Sequence, residues 1–384
     1  MSRKPAILAF AAVLALWAWQ FLTVHYNYGG NWTGLFCIRP GMPVPAFLQS
    51  EKLYIFQNSE GYDGQVFHLI AHDPWMTKGS REAIAGAAFR YQRIFVPALA
   101  WTLALGQDRW VHAAYFAIIL AFVFLGIYWT ALFAARAGLP MLWGLAFALT
   151  PAAITSIDRM TADVVLAAFA AGFALYVGKT PGWQILTILT CAALTRETAL
   201  PIIAGYAIFL LARRDWRGVL LAASTIVPTA LWFVYVSRGQ PAEAVTFVNW
   251  MPLAGFFDRV VHPFLYPFVG WKNLVVQAFD YVAVAGVGLA LVFALLMALR
   301  RDWSPLAAAV YGCTIAVIFL KSRSVWEDPY AFGRVLTPFM LLIMLHEWKR
   351  RPWIAFLPLA MISVRIFLNL TGQIRGVVHG ITGL

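Results

Sequence analysis

A single carboxylate in the segment 61–75, which reads GYDGQVFHLIAHDPW, is the first candidate for chemistry. At about 100° per residue, Gln65, His68 and His72 share one stripe of a helix, and Asp63 falls among the apolar positions. Burial raises the pKa of a carboxylate and a nearby cation restores its charge, so Asp63 could serve as a general base. Alternatively, Asp63 caps the helix that follows it. The two roles are compatible.

The same segment contains two histidines at a spacing that metal sites use. His68 and His72 are four residues apart, with Asp73 adjacent, and could hold a metal on one helical face. Amphipathic helices at a membrane interface also carry such histidines without a metal. The sequence therefore indicates no metal or other cofactor, although these histidines could bind a divalent metal. Asp73 precedes Pro74 and is expected to end the helix.

Arginines and acids recur together in two further segments. Arg90 and Arg93 are three residues apart on one helical face and could hold a phosphate by bidentate hydrogen bonds. They could equally anchor in lipid headgroups. Asp158 could form a local ion pair with Arg159, and Asp163 begins an apolar stretch, where it could cap a helix.

The remaining candidates are charges next to or inside apolar stretches. Arg196 and Glu197 separate two such stretches, and a charged pair in this position needs partners. We expect Arg196 to meet an anionic group, with Glu197 as its orienting partner. Arg323 lies in the last loop and Arg334 in the apolar stretch after it, and these cations could hold a diphosphate or phosphate headgroup. Arg365, in the final stretch, could point to the same cavity.

The elements that position these charges are strongly apolar. Hydrophobic residues make up 61% of the 384 residues and charged residues only 12%, far from the balance of a soluble domain. A helix of about 20 apolar residues crosses a bilayer. Eleven candidate spans lie at 6–24, 111–135, 139–155, 161–178, 181–195, 197–212, 217–237, 273–299, 304–320, 332–346 and 353–370. We predict an all-α polytopic transmembrane helix bundle that forms a single membrane-embedded domain over 1–384, without a separate soluble domain.

Basic residues predict the orientation of this bundle. Lys and Arg cluster in short connections, and cytoplasmic loops are expected to carry this excess. The clusters lie at 3–4, 136, 179, 213–217, 300–301 and 349–351. The assignment requires that the short apolar stretch 94–106 does not cross the bilayer. It predicts a cytoplasmic N-terminus and a large external loop, 25–110, in which segments 61–72 and 94–106 lie along the membrane.

The composition excludes several other classes of protein. The formal charge of +12 could suggest nucleic acid, but the cations follow the membrane topology and no nucleic-acid motif is visible. The three cysteines are scattered and odd in number, so they imply no disulfide framework. The sequence also lacks a nucleotide-binding glycine loop.

Four of these elements resemble segments of the GT-C class of membrane glycosyltransferases, and the likeness in architecture extends over most of the chain. The elements are YDGQ at 62–65, RYQR at 90–93, the helix start at Asp163 and TRET at 195–198. Enzymes of this class have many membrane helices and a large first external loop bearing an acidic residue. They typically take a sugar from a polyprenyl-phosphate carrier outside the cytoplasm.

The resemblance implies an inverting transfer to an extracytoplasmic glycan, lipid or protein acceptor, in a bacterial inner membrane. Asp63 would be the catalytic base, and arginines would hold the carrier phosphate and offset the charge that develops on it. The residues expected to bind substrate are Arg90, Arg93, Asp158, Asp163, Arg196, Glu197, Arg323 and Arg334.

A polytopic transporter or lipid flippase is the main alternative, because it would also place charges along a path. Transporters commonly show inverted repeats with broken helices at matching positions. We find no such internal similarity, and the charges gather at one face. A membrane acyltransferase is a second alternative, but the sequence has no His–Asp constellation placed to activate a hydroxyl. A purely structural subunit would not need so many buried ions.

Overall fold

The computed structural model describes residues 3–178, 180–238, 248–266, 270–321 and 323–383, apart from the side chains of residues 323 and 324. Within these ranges the chain is helical, and its only β-structure is two isolated bridges. The all-α prediction is therefore confirmed.

Nineteen α-helices follow one another along the described chain. They are α1 (Arg3–Asn27), α2 (Asp63–His72), α3 (Ser80–Ala83), α4 (Ala87–Tyr91), α5 (Phe95–Leu103), α6 (Asp108–Arg136), α7 (Pro151–Arg159), α8 (Asp163–Tyr176), α9 (Trp183–Thr195), α10 (Leu200–Ala212), α11 (Trp216–Ser224), α12 (Val227–Ser237), α13 (Ala254–Val261), α14 (Trp271–Leu299), α15 (Pro305–Ile318), α16 (Arg323–Trp326), α17 (Pro329–Glu347), α18 (Pro352–Asn369) and α19 (Thr371–Thr382). Short 3-10 helices lie at Trp32–Phe36, Ala46–Leu48, Met141–Phe147 and Glu197–Ala199.

Six helices of the described chain are long and apolar enough to cross a membrane. These are α1, α6, α11 continued by α12, α14, α17 and α18. The 3-10 helix Met141–Phe147 and α7 form a seventh candidate, bent by 56° between its two halves. The other predicted spans correspond to apolar helices of 10–17 residues, namely α8, α9, Glu197–Ala212 and α15. This set of helices indicates a polytopic membrane protein.

Three helices of the bundle begin in the same way, with a polar cap followed by proline. Thr150, Ser304 and Asp328 each accept a hydrogen bond from the backbone N–H three residues later, and each precedes the first residue of its helix. Proline is favourable at that first position because the N–H it lacks would have no helical partner. The cap at Asp328 fixes the start of α17 and therefore the depth at which Arg334 enters the bundle.

Helix α17 is the centre of the bundle. Of its most apolar window, 94% is buried, compared with 22% for α1 at the periphery. Helices α7, α8, α15 and α18 pack around it. A charged side chain on α17 is therefore surrounded by protein rather than lipid.

The long loop before α6 differs from its predicted form. A helix lying along the membrane would turn its polar Gln65–His68–His72 stripe to water, but His68 and His72 are each only 1% exposed. The stripe packs against α6 because its imidazoles meet other polar side chains there. Helix α5 has nine residues and rises about 14 Å, too short to cross a hydrocarbon core of about 30 Å.

Candidate functional site

Seven charged side chains at one end of the bundle form a connected set of ion pairs. We call this set the arginine network, and its members are Asp63, Arg90, Arg93, Asp163, Arg196, Glu197 and Arg334. They come from the long N-terminal loop, from the start of α8, from the break between α9 and α10, and from α17. All seven were singled out in the sequence.

Arg334 links two carboxylates through one guanidinium group. Its Nη2 atom lies 2.6 Å from Oδ2 of Asp63, and its Nη1 atom lies 3.1 Å from Oδ2 of Asp163. The guanidinium also lies over the ring of Tyr62, 4.7 Å from the ring centroid. Such fork-shaped pairing is specific to arginine, because lysine has no planar group with two sets of donors.

Asp63 stands at the start of α2 and turns its carboxylate to arginines. Oδ1 accepts from Nη1 of Arg90 at 3.0 Å, and Arg93 lies 3.9 Å from Oδ2. Tyr62, rather than Asp63, occupies the N-cap position of α2. Burial raises the pKa of Asp63, but the charges of Arg334, Arg93 and Arg90 outweigh that effect and hold the pKa well below its ordinary value. Asp63 is therefore ionised at neutral pH.

Glu197 and Asp163 complete the network. Arg93 donates to both Glu197 oxygens, at 2.7 and 3.1 Å, whereas Arg196 Nε lies 3.7 Å from Glu197 Oε1. Glu197 therefore orients Arg93 more closely than Arg196, the partner we had expected. Arg196 donates to Asp163 instead, from an extended residue between α9 and a 3-10 turn. Asp163 binds two arginines, and the N-cap position of α8 belongs to Ala162.

The arginine network has an excess of positive charge and unused donors. Its four guanidinium groups face three carboxylates, which leaves a formal charge of +1. The Nε atoms of Arg196 and Arg334 are buried and have no hydrogen-bond partner. Buried donors are normally satisfied, so an unpaired guanidinium N–H is a place where an anionic oxygen would be stabilised.

Asp158 belongs to a separate contact. It pairs with the neighbouring Arg159 at 2.9 Å and accepts a hydrogen bond from Gln373, so it ties the end of α7 to α19. Tyr330 places its hydroxyl 3.5 Å from the same carboxylate. These contacts agree with the local ion pair that we considered in the sequence. The side chain of Arg323 lies outside the described residues.

A cavity of about 640 Å³ lies beside the arginine network. Tyr62 borders it, and the ring of Tyr62 separates it from Arg334. Cationic residues in its wall are Arg159, Lys272, Arg365 and Arg375. The sequence pointed to Arg365 but not to its partner Asp280, whose Oδ1 lies 2.6 Å from Arg365 Nε. An aspartate within the apolar α14 was a signal that could have predicted such a partner.

A narrower crevice between α10, α15 and α17 is almost entirely apolar. Its volume is about 60 Å³, and its wall includes Thr198 and Val335. These residues directly follow Glu197 and Arg334 in the chain, so the same segments contribute to the crevice and to the charged network.

A second polar cluster contains the two histidines of α2. One imidazole nitrogen from each of His68, His72 and His112 and one carboxylate oxygen of Glu51 lie within 4.8 Å of one another. Burial lowers the pKa of His68 well below its ordinary value and also lowers that of His72, so both rings are neutral at pH 7. The sequence suggested the histidine pair but missed Glu51 and His112.

Asp73, which we had considered with the histidine pair, has a different role. Its carboxylate accepts hydrogen bonds from the backbone N–H groups of Thr77, Lys78 and Ser80, at 2.7, 2.9 and 3.2 Å. Asp73 is the residue that follows the last turn of α2, so the prediction that the helix ends there is confirmed.

Comparison of the chain with protein-family models, curated proteins and solved structures gives no match.

Proposed function

We propose that the protein is an inverting membrane glycosyltransferase of the GT-C type. It would move a sugar from a polyprenyl-phosphate carrier to an extracytoplasmic glycan, lipid or protein acceptor. The observation that carries the proposal is the arginine network, in which an ionised Asp63 lies among arginines with one excess positive charge and unpaired donors. A sugar phosphodiester carries one negative charge and oxygen acceptors, so it matches this set in charge and in hydrogen bonding.

In the proposed reaction the acceptor hydroxyl attacks the anomeric carbon of the donor sugar. Asp63 accepts the hydroxyl proton as the new carbon–oxygen bond forms, and the bond from the anomeric carbon to the phosphate oxygen breaks. Polyprenyl phosphate leaves with both electrons of that bond and with one additional negative charge. Arg334 and Arg196 stabilise this charge. Because attack is opposite to the leaving phosphate, the anomeric configuration inverts.

Donor binding would also make Asp63 a better base. In the free protein, Arg334 is the strongest of the charges that keep the pKa of Asp63 low. A phosphate that draws the guanidinium of Arg334 toward itself weakens this effect, while the burial of Asp63 remains. The pKa of the carboxyl group then rises toward the value that proton transfer requires.

The apolar crevice between α10, α15 and α17 is evidence in favour of a donor that is linked to a lipid. Its wall includes Thr198 and Val335, the chain neighbours of Glu197 and Arg334, so the first isoprene units of a carrier held by the arginines would extend toward this crevice. A soluble nucleotide sugar would have no use for such a surface.

An eleven-span topology in a bacterial inner membrane, with the N-terminus in the cytoplasm, completes the proposal. The six long helices, the bent pair and the four shorter apolar helices make eleven elements in the order expected. The ion pairs also form separate groups at the two ends of the bundle. Arg300 pairs with Glu347 at 3.1 Å and His346 with Asp302 at 3.2 Å, within connections assigned to the cytoplasm. The arginine network joins connections assigned to the external side with Arg334, near the start of α17, and this supports an extracytoplasmic active site.

The direct test is sugar transfer by purified full-length protein in lipid nanodiscs. Polyprenyl-phosphate sugars would be supplied one at a time, with a bacterial envelope fraction as acceptor, and released polyprenyl phosphate would be measured by mass spectrometry. We expect release that depends on the acceptor and on one particular sugar, with an inverted anomeric centre in the product by NMR. Movement of a fluorescent polyprenyl phosphate or a solute across vesicles, without any transfer, would instead establish the flippase or transporter.

A further inference from the structure

The histidine cluster beside α2 has the geometry of a metal site. His72 Nδ1 lies 3.0 Å from Oδ1 of Asp108, a carboxylate that also binds Lys78. Because an ionised carboxylate only accepts hydrogen bonds, the proton of His72 belongs on Nδ1, and Nε2 carries a lone pair. His112 turns both ring nitrogens to members of the cluster: Nε2 faces His72, and Nδ1 lies 3.2 Å from Oε1 of Glu51.

The lone pair of His72 therefore faces His112 across a short gap. The Nε2 atoms of His72 and His112 are 3.3 Å apart. Two nitrogen ligands of a tetrahedral zinc ion, each about 2.0–2.1 Å from the metal, are separated by about 3.3 Å. The observed gap fits two ligands of one ion.

His68 supplies an independent observation. Its side chain is 1% exposed, and neither of its ring nitrogens has a hydrogen-bond partner. Its Nε2 atom lies 3.5 Å from Oε2 of Glu51, and that oxygen is also buried without a hydrogen-bond partner. A buried imidazole with no partner is rare in proteins, and a metal ion within the cluster would satisfy both groups.

We propose that Glu51, His68, His72 and His112 bind one divalent transition-metal ion, with Zn²⁺ as the best fit. Three imidazoles and one carboxylate favour zinc over magnesium or calcium, which prefer oxygen ligands. Four protein ligands fill a tetrahedral shell, which is typical of a structural site rather than a catalytic one. Asp108 is the carboxylate that orients His72 from behind, as carboxylates commonly do for metal-binding histidines.

The ion would fix the helix that carries Asp63. Glu51 comes from the loop before α2, His68 and His72 from α2, and His112 from the first turns of α6. At about 100° per residue, His72 lies on the side of α2 opposite to Asp63. The arginine network therefore holds one face of α2, and the metal site holds the other face against α6. This inference does not depend on the reaction, because it concerns the position of a helix.

Metal content provides the first test. The full-length protein would be purified in detergent after growth with added Zn²⁺, and zinc per chain would be measured by mass spectrometry. We expect about one zinc ion per chain, lost in His68→Ala and retained in the control His262→Ala, because His262 is exposed and lies outside the cluster. Wild-type protein without bound zinc, or His68→Ala with the wild-type content, would overturn the proposal.

Three further measurements do not require a variant that lacks a ligand. Zinc added to chelator-treated wild-type protein should raise its melting temperature in proportion to the logarithm of the zinc concentration. Asp108→Asn should weaken zinc binding by about 10–100-fold in competition with a chelator, because it removes the group that orients His72. Cobalt in place of zinc should give the visible absorption of a four-coordinate site. An unchanged melting temperature, unchanged affinity or six-coordinate cobalt spectrum would contradict the assignment.

Discussion

The Nη2 atom of Arg334 lies 2.6 Å from Oδ2 of Asp63, and this contact joins the central helix of the bundle to the first helix of the long N-terminal loop. The same guanidinium reaches Asp163 at the start of α8. One side chain on α17 thus sets the position of two carboxylates that belong to separate parts of the chain. If Asp63 is the base, Arg334 determines both where it lies and when it is ionised.

Replacement of Arg334 should destabilise the protein strongly. Arg334→Met removes the shared partner of the buried Asp163 and the partly exposed Asp63, but each keeps another arginine. We therefore expect a loss at the lower end of the about 3–5 kcal/mol that a broken buried pair costs. Arg334→Lys keeps the charge but cannot bridge both acids, so we expect a smaller loss. Unfolding in mixed detergents would measure the free energy of unfolding of both variants. In the control Arg350→Met, the lost partner of Glu347 is half-exposed, and we expect a change below about 1 kcal/mol. Equal losses in Arg334→Met and Arg350→Met would contradict this role.

The pH dependence of stability should differ between wild type and Arg334→Met. In the wild type the pKa of Asp63 is below its ordinary value of 3.8, so its stabilising effect is present above that value and is lost as the pH falls toward the folded-state pKa. In Arg334→Met burial persists without the strongest opposing charge, and the pKa of Asp63 rises. The folded variant then binds a proton more readily, so it loses less stability on acidification.

We therefore expect the difference in unfolding free energy between these two proteins to be constant near neutral pH and to shrink as the pH is lowered from about 5 to about 2. Unfolding curves at several pH values would measure it. A difference that stays constant over this interval would mean that Arg334 does not control the ionisation of Asp63.

Gly64 allows α2 to approach the end of α7. A Cβ atom at this position would collide with the backbone carbonyl oxygens of Arg159 and Phe36, which cannot move aside as a side-chain tip could. Gly64→Ala should therefore destabilise the protein by about 1–3 kcal/mol and displace Asp63 from the arginine network. Gly372→Ala is the matched control, because a Cβ at Gly372 meets no atom within 4 Å. Thermal unfolding would give the melting temperatures of both variants. Similar melting temperatures for Gly64→Ala and Gly372→Ala would contradict the close approach of α2 to α7.

The sequence identified the members of the arginine network because charges in apolar surroundings are costly and few. It did not identify their pairs. Glu197 accepts from Arg93 rather than chiefly from its neighbour Arg196, and this choice depends on how the N-terminal loop packs against the break between α9 and α10. Local spacing carries no information about such a contact.

The burial of the histidine stripe of α2 could not be predicted for a related reason. Helical periodicity indicates which side chains share a face, but a polar face can meet water or a polar cluster inside the protein. Glu51 and His112, which make that cluster, lie in a loop and at the start of another helix. The spans were more predictable, since long apolar runs become helices. The 56° bend before α7 had a local signal in the cap Thr150 and the proline after it, but its angle depends on packing.

The most direct test of the account is the rate of sugar transfer by Asp63→Asn and Asp63→Glu in nanodiscs, at saturating donor. For Asp63→Asn we predict a fall of about 100-fold or more, because a positioned base contributes about 10²–10⁴ to the rate. Partial activity should remain in Asp63→Glu, and full activity in Asp258→Asn, whose carboxylate is exposed. Binding of polyprenyl phosphate should persist in Asp63→Asn, since the arginines remain. Wild-type turnover in a correctly folded Asp63→Asn protein would show that Asp63 is not the base.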